Sequence, residues 1–555
     1  MEMRWHCKYQ SPLGLVLLSI LSLSLQGIVF GYILPSKLIL PWLLYFSFLI
    51  VLRPYYSAIT VFLIESILLR VHIMKMSHTN TAFEASDIFA WKQAFFLKGY
   101  TDFLIPALGI GLVFCFVKGF ALRKRQLAFL PAVLLVTTSC VQERNPTQST
   151  SNPISFLFSL AKVHYVDWNF ATNIKENGIL NHVFLTLPMG QIPAKGPARL
   201  GERQIAVSPH APLKPDVFLI LCESCYTSSS SKFVTPMAEL EKEGFERSTM
   251  ISPVYGGMTA EAEFEVLTGL PSQRYKGIDF QYFAESYSHE AMGLPRVFVK
   301  NGYSSFSAHN NKGFFWRRDL VHPKFGFQKS IFLEEMNWPD LSVTPEDDIL
   351  FESALKQYKS NLDGKKNTFA FLITIHTHGP YKEVEDDGGE GDYKAKLEKS
   401  LKEFLRFQKQ VYELAQKNSR PVIFVIFGDH KPAMTISFYK KHVFSDDFFS
   451  SKGERNDGFR FSSLSESQRM IYGRVPVFIK SLNVKNGELA KEIARTSHDK
   501  PLYCLPSVLT KFINVHHEYY RFLDTVCKRP SVELVDKAVI DSVFSEEAYG
   551  NLLFD

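Results

Sequence analysis

The 555-residue chain carries a formal charge of +6 and is 46% apolar, so it is too long for one ordinary domain and long enough to bury a large core. That charge is modest for the length, and no basic stripe interleaved with aromatic residues is present, so nothing points to nucleic-acid binding. A mean hydropathy of −0.03 averages two unlike parts, because residues 1–142 are strongly apolar while the remainder reads as a water-soluble protein.

In chain order, five apolar stretches come first, at about 12–34, 38–52, 56–74, 101–118 and 127–142. The second and fifth are short for a hydrocarbon core of about 30 Å. A cleaved signal peptide would not be followed by four more such stretches, so the pattern predicts an all-α, multi-pass anchor of about five helices. Lys and Arg mark the ends: Arg4 and Lys8 at the start, Arg53 between the second and third, and Lys118, Arg123, Lys124 and Arg125 between the fourth and fifth. Five spans put all three basic segments on one side, which is then the cytoplasm, and everything after residue 142 on the other. Glu65 falls inside the third span, where a carboxylate is costly: it serves a function or pairs with a neighbouring helix.

Residues 143–160 are first polar and rich in Pro, Ser and Thr, and 160–205 mix short amphipathic pieces with Pro and Gly. The expected organisation is an anchor over 1–142, an extracytoplasmic connector over 143–212 and a compact domain over 213–545. Cys222, Cys225, Cys504 and Cys527 fall in the exported part, where disulfides persist. Four cysteines allow three full pairings; Cys504–Cys527 is favoured. No second CxxC accompanies CESC (222–225), which speaks against a thioredoxin-like or zinc-ribbon use.

Four runs read as buried strands of a mainly parallel sheet: VFLILC (217–222), AFLITI (370–375), VIFVIF (422–427) and VPVFIK (475–480). Helical stretches separate them, including 233–243, 260–269 and 393–417, so the domain is α/β and doubly wound. The first run leads into Glu223, the second into His376 and His378, and the third into Asp429 and His430. Ligand sites in open α/β sheets lie off the carboxyl ends of the strands. Glu223, Asp429 and His430 with the Thr259 hydroxyl make a set of three oxygens and one nitrogen, suited to Mn²⁺ or Mg²⁺ and open to Zn²⁺.

Thr259 follows Gly256-Gly257-Met258 and precedes Glu261, Glu263 and Glu265. Two readings stand. Thr259 caps a helix whose first turn gathers acids against the dipole, or it is a nucleophile whose hydroxyl is activated by the metal.

The motifs LCES, GGMTAEAEFEVLTGLPS, AHNNKGFFWRRD, THGPY and FGDH, in that order, resemble the lipoteichoic acid synthase family: sulfatase-like membrane enzymes of the alkaline phosphatase superfamily that transfer phosphoglycerol. The resemblance covers essentially the whole chain and is most specific over about 215–480. It implies a five-helix membrane anchor in the bacterial cytoplasmic (inner) membrane and a sulfatase-like domain on the extracytoplasmic or periplasmic side. Thr259 would take phosphoglycerol from phosphatidylglycerol and pass it to a glycan or glycolipid. Glu223, Thr259, Asp429 and His430 would hold one divalent metal, commonly Mn²⁺. His309, Trp316, Arg318 and His378 would hold the phosphoglycerol group. Asn311 stands where some relatives carry an acid, so its glycerol contact would differ.

Elementary chemistry agrees with each of these roles. Arg318 offers a planar fork to phosphate oxygens, Trp316 a wall against the glycerol carbons or simply core, and the two histidines hydrogen bonds or proton transfer. His376 and His322 are left without a role. A formylglycine sulfatase is excluded, because the nearest cysteine context, CLPSV (504–508), lacks the required Arg. The competing readings are a phosphoethanolamine transferase of the same superfamily, a phosphodiesterase with water as acceptor, and a non-catalytic binding module.

Overall fold

The computed structural model describes residues 3–31, 33–79, 83, 85–88, 104–121, 157–158, 170–186, 214–227, 235–272, 284, 286–313, 315–340, 345–385, 387–432, 459–460, 466–484, 488–513, 515–527 and 548–554. Their contacts divide the chain into two units, Met1–Gln191 and Ile192–Asp555.

The first unit is helical. Within it, Ser11–Phe30 and Pro54–Met76 are long and apolar enough to cross a membrane, with mean hydropathies of 2.2 and 1.7. The expected second stretch forms only the ten-residue helix Ile39–Phe48, about 15 Å at 1.5 Å per residue and too short to span. The fourth forms Leu104–Gly119, 16 residues long. The fifth, 127–142, lies outside the described residues. Among the described residues, two full-length apolar helices are therefore seen where five were expected. Ile20, Ile28, Ile110 and Val117 point outward, at 59–84% exposure, an apolar face that water penalises and lipid does not. The Arg53 amide donates to the Gly119 carbonyl (2.9 Å) and the Ala121 amide to Val51 (2.9 Å). The Arg53 turn thus lies beside the end of the helix carrying Lys118. Glu65 is buried and accepts a 2.6 Å hydrogen bond from Gln26 Nε2, so it pairs with a neighbouring helix.

The second unit is built on an eight-stranded sheet. Its strands in chain order are β1 (Asp216–Cys222), β2 (Glu246–Ile251), β4 (Tyr303–His309), β5 (Lys329–Ile331), β6 (Asn367–Ile373), β7 (Val422–Gly428), β9 (Arg474–Leu482) and β10 (Lys500–Pro501). The short β3 (Val254–Tyr255) and β8 (Phe459–Arg460) form a separate pair. The spatial order is β10-β2-β9-β7-β1-β6-β4-β5. β7, β1, β6 and β4 are adjacent and parallel. Every residue of β1 and β7 is buried, as a strand covered on both faces requires. On one face, Phe218 and Phe424 stack at 5.0 Å beneath Phe404 and Phe407 of the helix Glu390–Lys417. On the other, Val217, Leu219, Leu221 and Phe371 pack with Phe264, Val266 and Leu267 of the helix Thr259–Thr268.

Two strands depart from expectation. β9, the VPVFIK run, is antiparallel to both of its neighbours. Continuous apolar composition reports burial on two faces and carries no information about direction. β4, YSSFSAH, was not anticipated because serines interrupt its apolar run. Their hydroxyls are satisfied internally, Ser305 donating to the Gly326 carbonyl at 2.8 Å. Disulfides join Cys504 to Cys527 and Cys222 to Cys225.

Candidate active site

Strand register brings the site together. Cys222 at the end of β1 lies opposite Gly428 at the end of β7, so Glu223 and Asp429 leave the sheet side by side. His309 at the end of β4 lies opposite Ile373 at the end of β6. Four parallel strands therefore discharge their polar residues at one edge. Gly428 is required there, because a Cβ would run into the Cys225 carbonyl.

The Glu223 backbone is pinned by threonines from the loop after β6. Its amide donates to Thr374 Oγ1 at 3.0 Å, and its carbonyl accepts from Thr377 Oγ1. Ser224 takes a left-handed φ of +53°. This turns its amide onto Asp429 Oδ1 (2.8 Å) and its hydroxyl onto Glu223 Oε1 (2.9 Å). Asp429 Oδ1 also accepts the His430 amide at 2.8 Å. Asp429 Oδ2, buried, receives no hydrogen bond among the described residues.

The imidazole of His430 completes the set. Its Nδ1 lies 3.0 Å from the Lys431 carbonyl, which can only accept, so Nδ1 carries the proton. In the neutral ring, Nε2 then presents a lone pair to Asp429 Oδ2 (3.2 Å), Glu223 Oε1 (3.5 Å) and the Thr259 hydroxyl (3.4 Å). Buried lone pairs converging in this way need a cation between them. Ligand atoms of Glu223, Asp429 and His430 all lie within 4.8 Å of one another. Burial, and then the neighbouring Glu223 carboxylate, push the Asp429 carboxyl up to about 7. Oxygen-rich with one imidazole, the donor set fits a single divalent metal.

Thr259 is the first residue of its helix, and its hydroxyl caps nothing: the cap position is Met258, at φ +64°, with no side-chain cap bond. The hydroxyl instead donates to Glu223 Oε2 at 3.1 Å. Of the two readings of this threonine, capping is therefore not realised. Nor do the acids serve the dipole from solvent, since Glu261, Glu263 and Glu265 are 0–3% exposed. Glu265 accepts from the Ser272 and Tyr503 amides.

Glu263 is the residue that sequence reasoning missed. It lies one helical turn from Thr259, on the same face, and that i,i+4 spacing was the available signal. Its Oε2 accepts from Arg318 Nε at 2.9 Å and its Oε1 from His322 Nε2 at 2.7 Å. His322, set aside at first, is fully buried, with Nδ1 2.8 Å from Ser307 Oγ. Arg318 is 2% exposed, so a guanidinium is fixed to the Thr259 helix by a buried ionic contact.

The remaining substrate candidates divide. His309 is buried, and its Nδ1 donates to the Ile373 carbonyl at 2.8 Å. Burial, and then Arg318, hold it well below the usual imidazole range, so Nε2 is an acceptor. His378 is exposed in the loop after β6. Trp316 belongs to the main core cluster at 8% exposure and takes a left-handed φ of +57°. Asn311 is half-buried, and its Oδ1 accepts the Lys312 amide at 2.8 Å. Glu223, Thr259, Asp429 and His430 are in direct contact, and Arg318 is anchored to the same helix; His378 acts on Glu223 through charge, helping to hold its carboxyl below the usual range against burial, whereas no hydrogen bond joins Asn311 or Trp316 to the cluster among the described residues.

Residues 215–463 match the protein-family model described as Sulfatase. This stretch, which contains every candidate site residue named above, is therefore similar to the sulfatase family. A relative from Rhizobium meliloti (strain 1021), named provisionally as a cyclic beta-1,2-glucan modification protein, is 26% identical over 403 residues; the match covers 67% of this chain and 60% of the relative's length. Among solved structures, the phosphoglycerol transferase GacH of Streptococcus pyogenes, in complex with sn-glycerol-1-phosphate, is 18% identical, covering 61% of this chain and 87% of that one at a TM-score of 0.44. The integral membrane lipooligosaccharide phosphoethanolamine transferase A (EptA) of Neisseria meningitidis is 14% identical, covering 93% and 99% at a TM-score of 0.44.

Proposed function

We propose that the protein is a membrane-bound, metal-dependent transferase that moves phosphoglycerol from a phosphatidylglycerol-type lipid to a glycan or glycolipid through a phospho-threonine at Thr259. The observation that carries the reading is the Thr259 hydroxyl. It opens a helix without capping it and lies 3.1 Å from Glu223 Oε2 and 3.4 Å from His430 Nε2. A threonine serving the helix alone would have no reason to enter that cluster.

Glu223, Asp429, His430 and Thr259 would hold the metal. When bound, it supplies positive charge that lowers the hydroxyl pKa and offsets charge on phosphoryl oxygens; Mn²⁺ is our choice, and Mg²⁺ and Zn²⁺ fit the same donors. Thr259 Oγ1 attacks phosphorus, the P–O bond to diacylglycerol breaks, and diacylglycerol departs with a proton. An acceptor hydroxyl then attacks the phospho-threonine, giving up its proton and releasing Thr259. Arg318, its Nε held by Glu263, turns its terminal nitrogens to the phosphoryl oxygens. His309 accepts from a glycerol hydroxyl through Nε2, and His378, at the open side, exchanges protons with the leaving and entering hydroxyls. Trp316 and Asn311 complete the glycerol pocket. The name of the Rhizobium relative makes a glucan a reasonable acceptor. Such chemistry belongs on the extracytoplasmic face of a bacterial inner membrane, where both lipid and glycan are at hand.

The test is purified full-length protein in detergent with Mn²⁺ and phosphatidylglycerol, beside Thr259→Ala. Diacylglycerol release from wild type alone, with a phosphoglycerol-sized mass on Thr259, is the expected result. Release from phosphatidylethanolamine in place of phosphatidylglycerol would move the assignment to phosphoethanolamine transfer. No release from either lipid with any of the three metals would overturn it.

A further inference from the structure

A second group of carboxylates lies away from the site. Glu346 and Asp348 flank the start of the helix Asp348–Asp363, and Glu403 faces them from the helix Glu390–Lys417. One carboxylate oxygen of each lies within 4.8 Å of the others. We propose that Glu346, Asp348 and Glu403 form a structural site for a hard divalent cation, with Ca²⁺ the best fit to an all-carboxylate donor set.

The independent observation is Glu403. It is 7% exposed, and its buried Oε2 has no hydrogen-bond partner among the described residues. A carboxylate in that state is costly unless a cation is supplied. Lys399, the lysine that acts on Glu403 among the described residues, does not meet the need. Lys399 reaches Glu346, but that pair is 48% and 44% exposed and contributes little. Asp347, between Glu346 and Asp348 in sequence, adds a fourth acid to the group. Burial, and then Asp347, Asp348 and Glu346, raise the Glu403 carboxyl to about 7.

The location gives the site a purpose. Asp347 is wholly buried and ties three elements together. Its Oδ1 accepts from Asn310 Nδ2 (3.0 Å) and from the Ile375 (3.0 Å) and His376 (3.3 Å) amides, and its Oδ2 from Ser400 Oγ (2.6 Å). Asn310 adjoins His309, and the 375–376 backbone leads into Thr377 and His378. A cation on the outer three carboxylates would fix the Glu346–Asp348 segment, and with it the Asp347 hydrogen bonds that hold both substrate-side loops. Loss of the cation would loosen them without touching the catalytic ligands.

The experiment uses the full chain in detergent carrying Asp429→Asn, which disables the first metal centre. Ca²⁺ is titrated while thermal unfolding and bound Ca²⁺ are followed, against NaCl at matched ionic strength. The expected result is one Ca²⁺ bound per chain, half-saturating at roughly 10⁻⁴ to 10⁻³ M, the range of extracellular modules, with a rise in melting temperature. Adding Asp348→Asn, at an exposed position, removes both signals. Adding Glu403→Gln removes them and also raises the melting temperature in the absence of Ca²⁺. Should Glu403→Gln fail to fold, Asp348→Asn decides alone. No saturable binding, an equal rise with NaCl, or a Ca²⁺ response that survives Asp348→Asn would overturn the proposal. None of these readouts requires turnover, so the site stands or falls apart from the proposed activity.

Discussion

Glu263 offers the most direct test of how the site is held. It is wholly buried and holds Arg318 and His322 through contacts of 2.9 and 2.7 Å. Glu263→Ala would leave a guanidinium 2% exposed, with only a 3.5 Å approach to the Phe315 carbonyl among the described contacts. Removing one member of a buried ion pair costs about 3–5 kcal/mol, because the other charge is left uncompensated. Glu263→Gln keeps one acceptor for Arg318. Its amide can donate to His322 if that ring moves its proton to Nδ1, so the cost should fall to about 1.5–3 kcal/mol, the scale of a lost charge-assisted bond. Although burial alone would raise it, the Glu263 carboxyl is held below its usual 4.5 by Arg318 and then His322. A depressed carboxyl stabilises the fold fully above its unfolded pKa and loses that contribution as pH falls through the folded value. Urea unfolding of the full chain should therefore show a shallower loss of stability below about pH 4.5 in Glu263→Gln than in wild type. In the phosphotransfer assay, Glu263→Gln should lose kcat/KM through a misaimed Arg318. Glu263→Ala within about 1 kcal/mol of wild type, with activity intact, would refute the reasoning.

Three further outcomes are expected. Thr259→Ala should abolish turnover by roughly 10⁴-fold or more, the scale of losing a nucleophile, while Thr259→Ser retains measurable turnover and a mass-detectable adduct. Metal removal should destabilise more at pH 8 than at pH 5. Burial, and then the Glu223 carboxylate, raise the Asp429 carboxyl from its usual 3.8 to about 7, so without metal the protein loses stability as pH rises between those values and added metal restores it; melting temperatures with and without chelator at both pH values check this. Gly428→Ala should cost about 1–3 kcal/mol and weaken metal binding, because the added methyl displaces the Cys225 backbone beside Glu223; chemical unfolding and metal titration read both effects.

The sequence by itself determined the features that are local. VFLILC and VIFVIF announce buried strands because two covered faces demand unbroken apolar runs, and Glu223 and Asp429-His430 follow them directly. A chemical set delivered at strand ends is legible because the α/β fold puts those ends at one edge. Tertiary structure decided whatever depends on which distant residue faces which. The direction of β9 rests on pairing with β7 and β2, which apolar composition does not encode. The use of the Thr259 hydroxyl, and of Glu263, is set by partners 36 and 55 residues away. In the sequence, three acids after a threonine look like a solvated first turn, whereas in the fold that turn is buried. Each carboxylate removed from water must then find a donor or a cation, and that requirement converts a capping pattern into the frame of the candidate site.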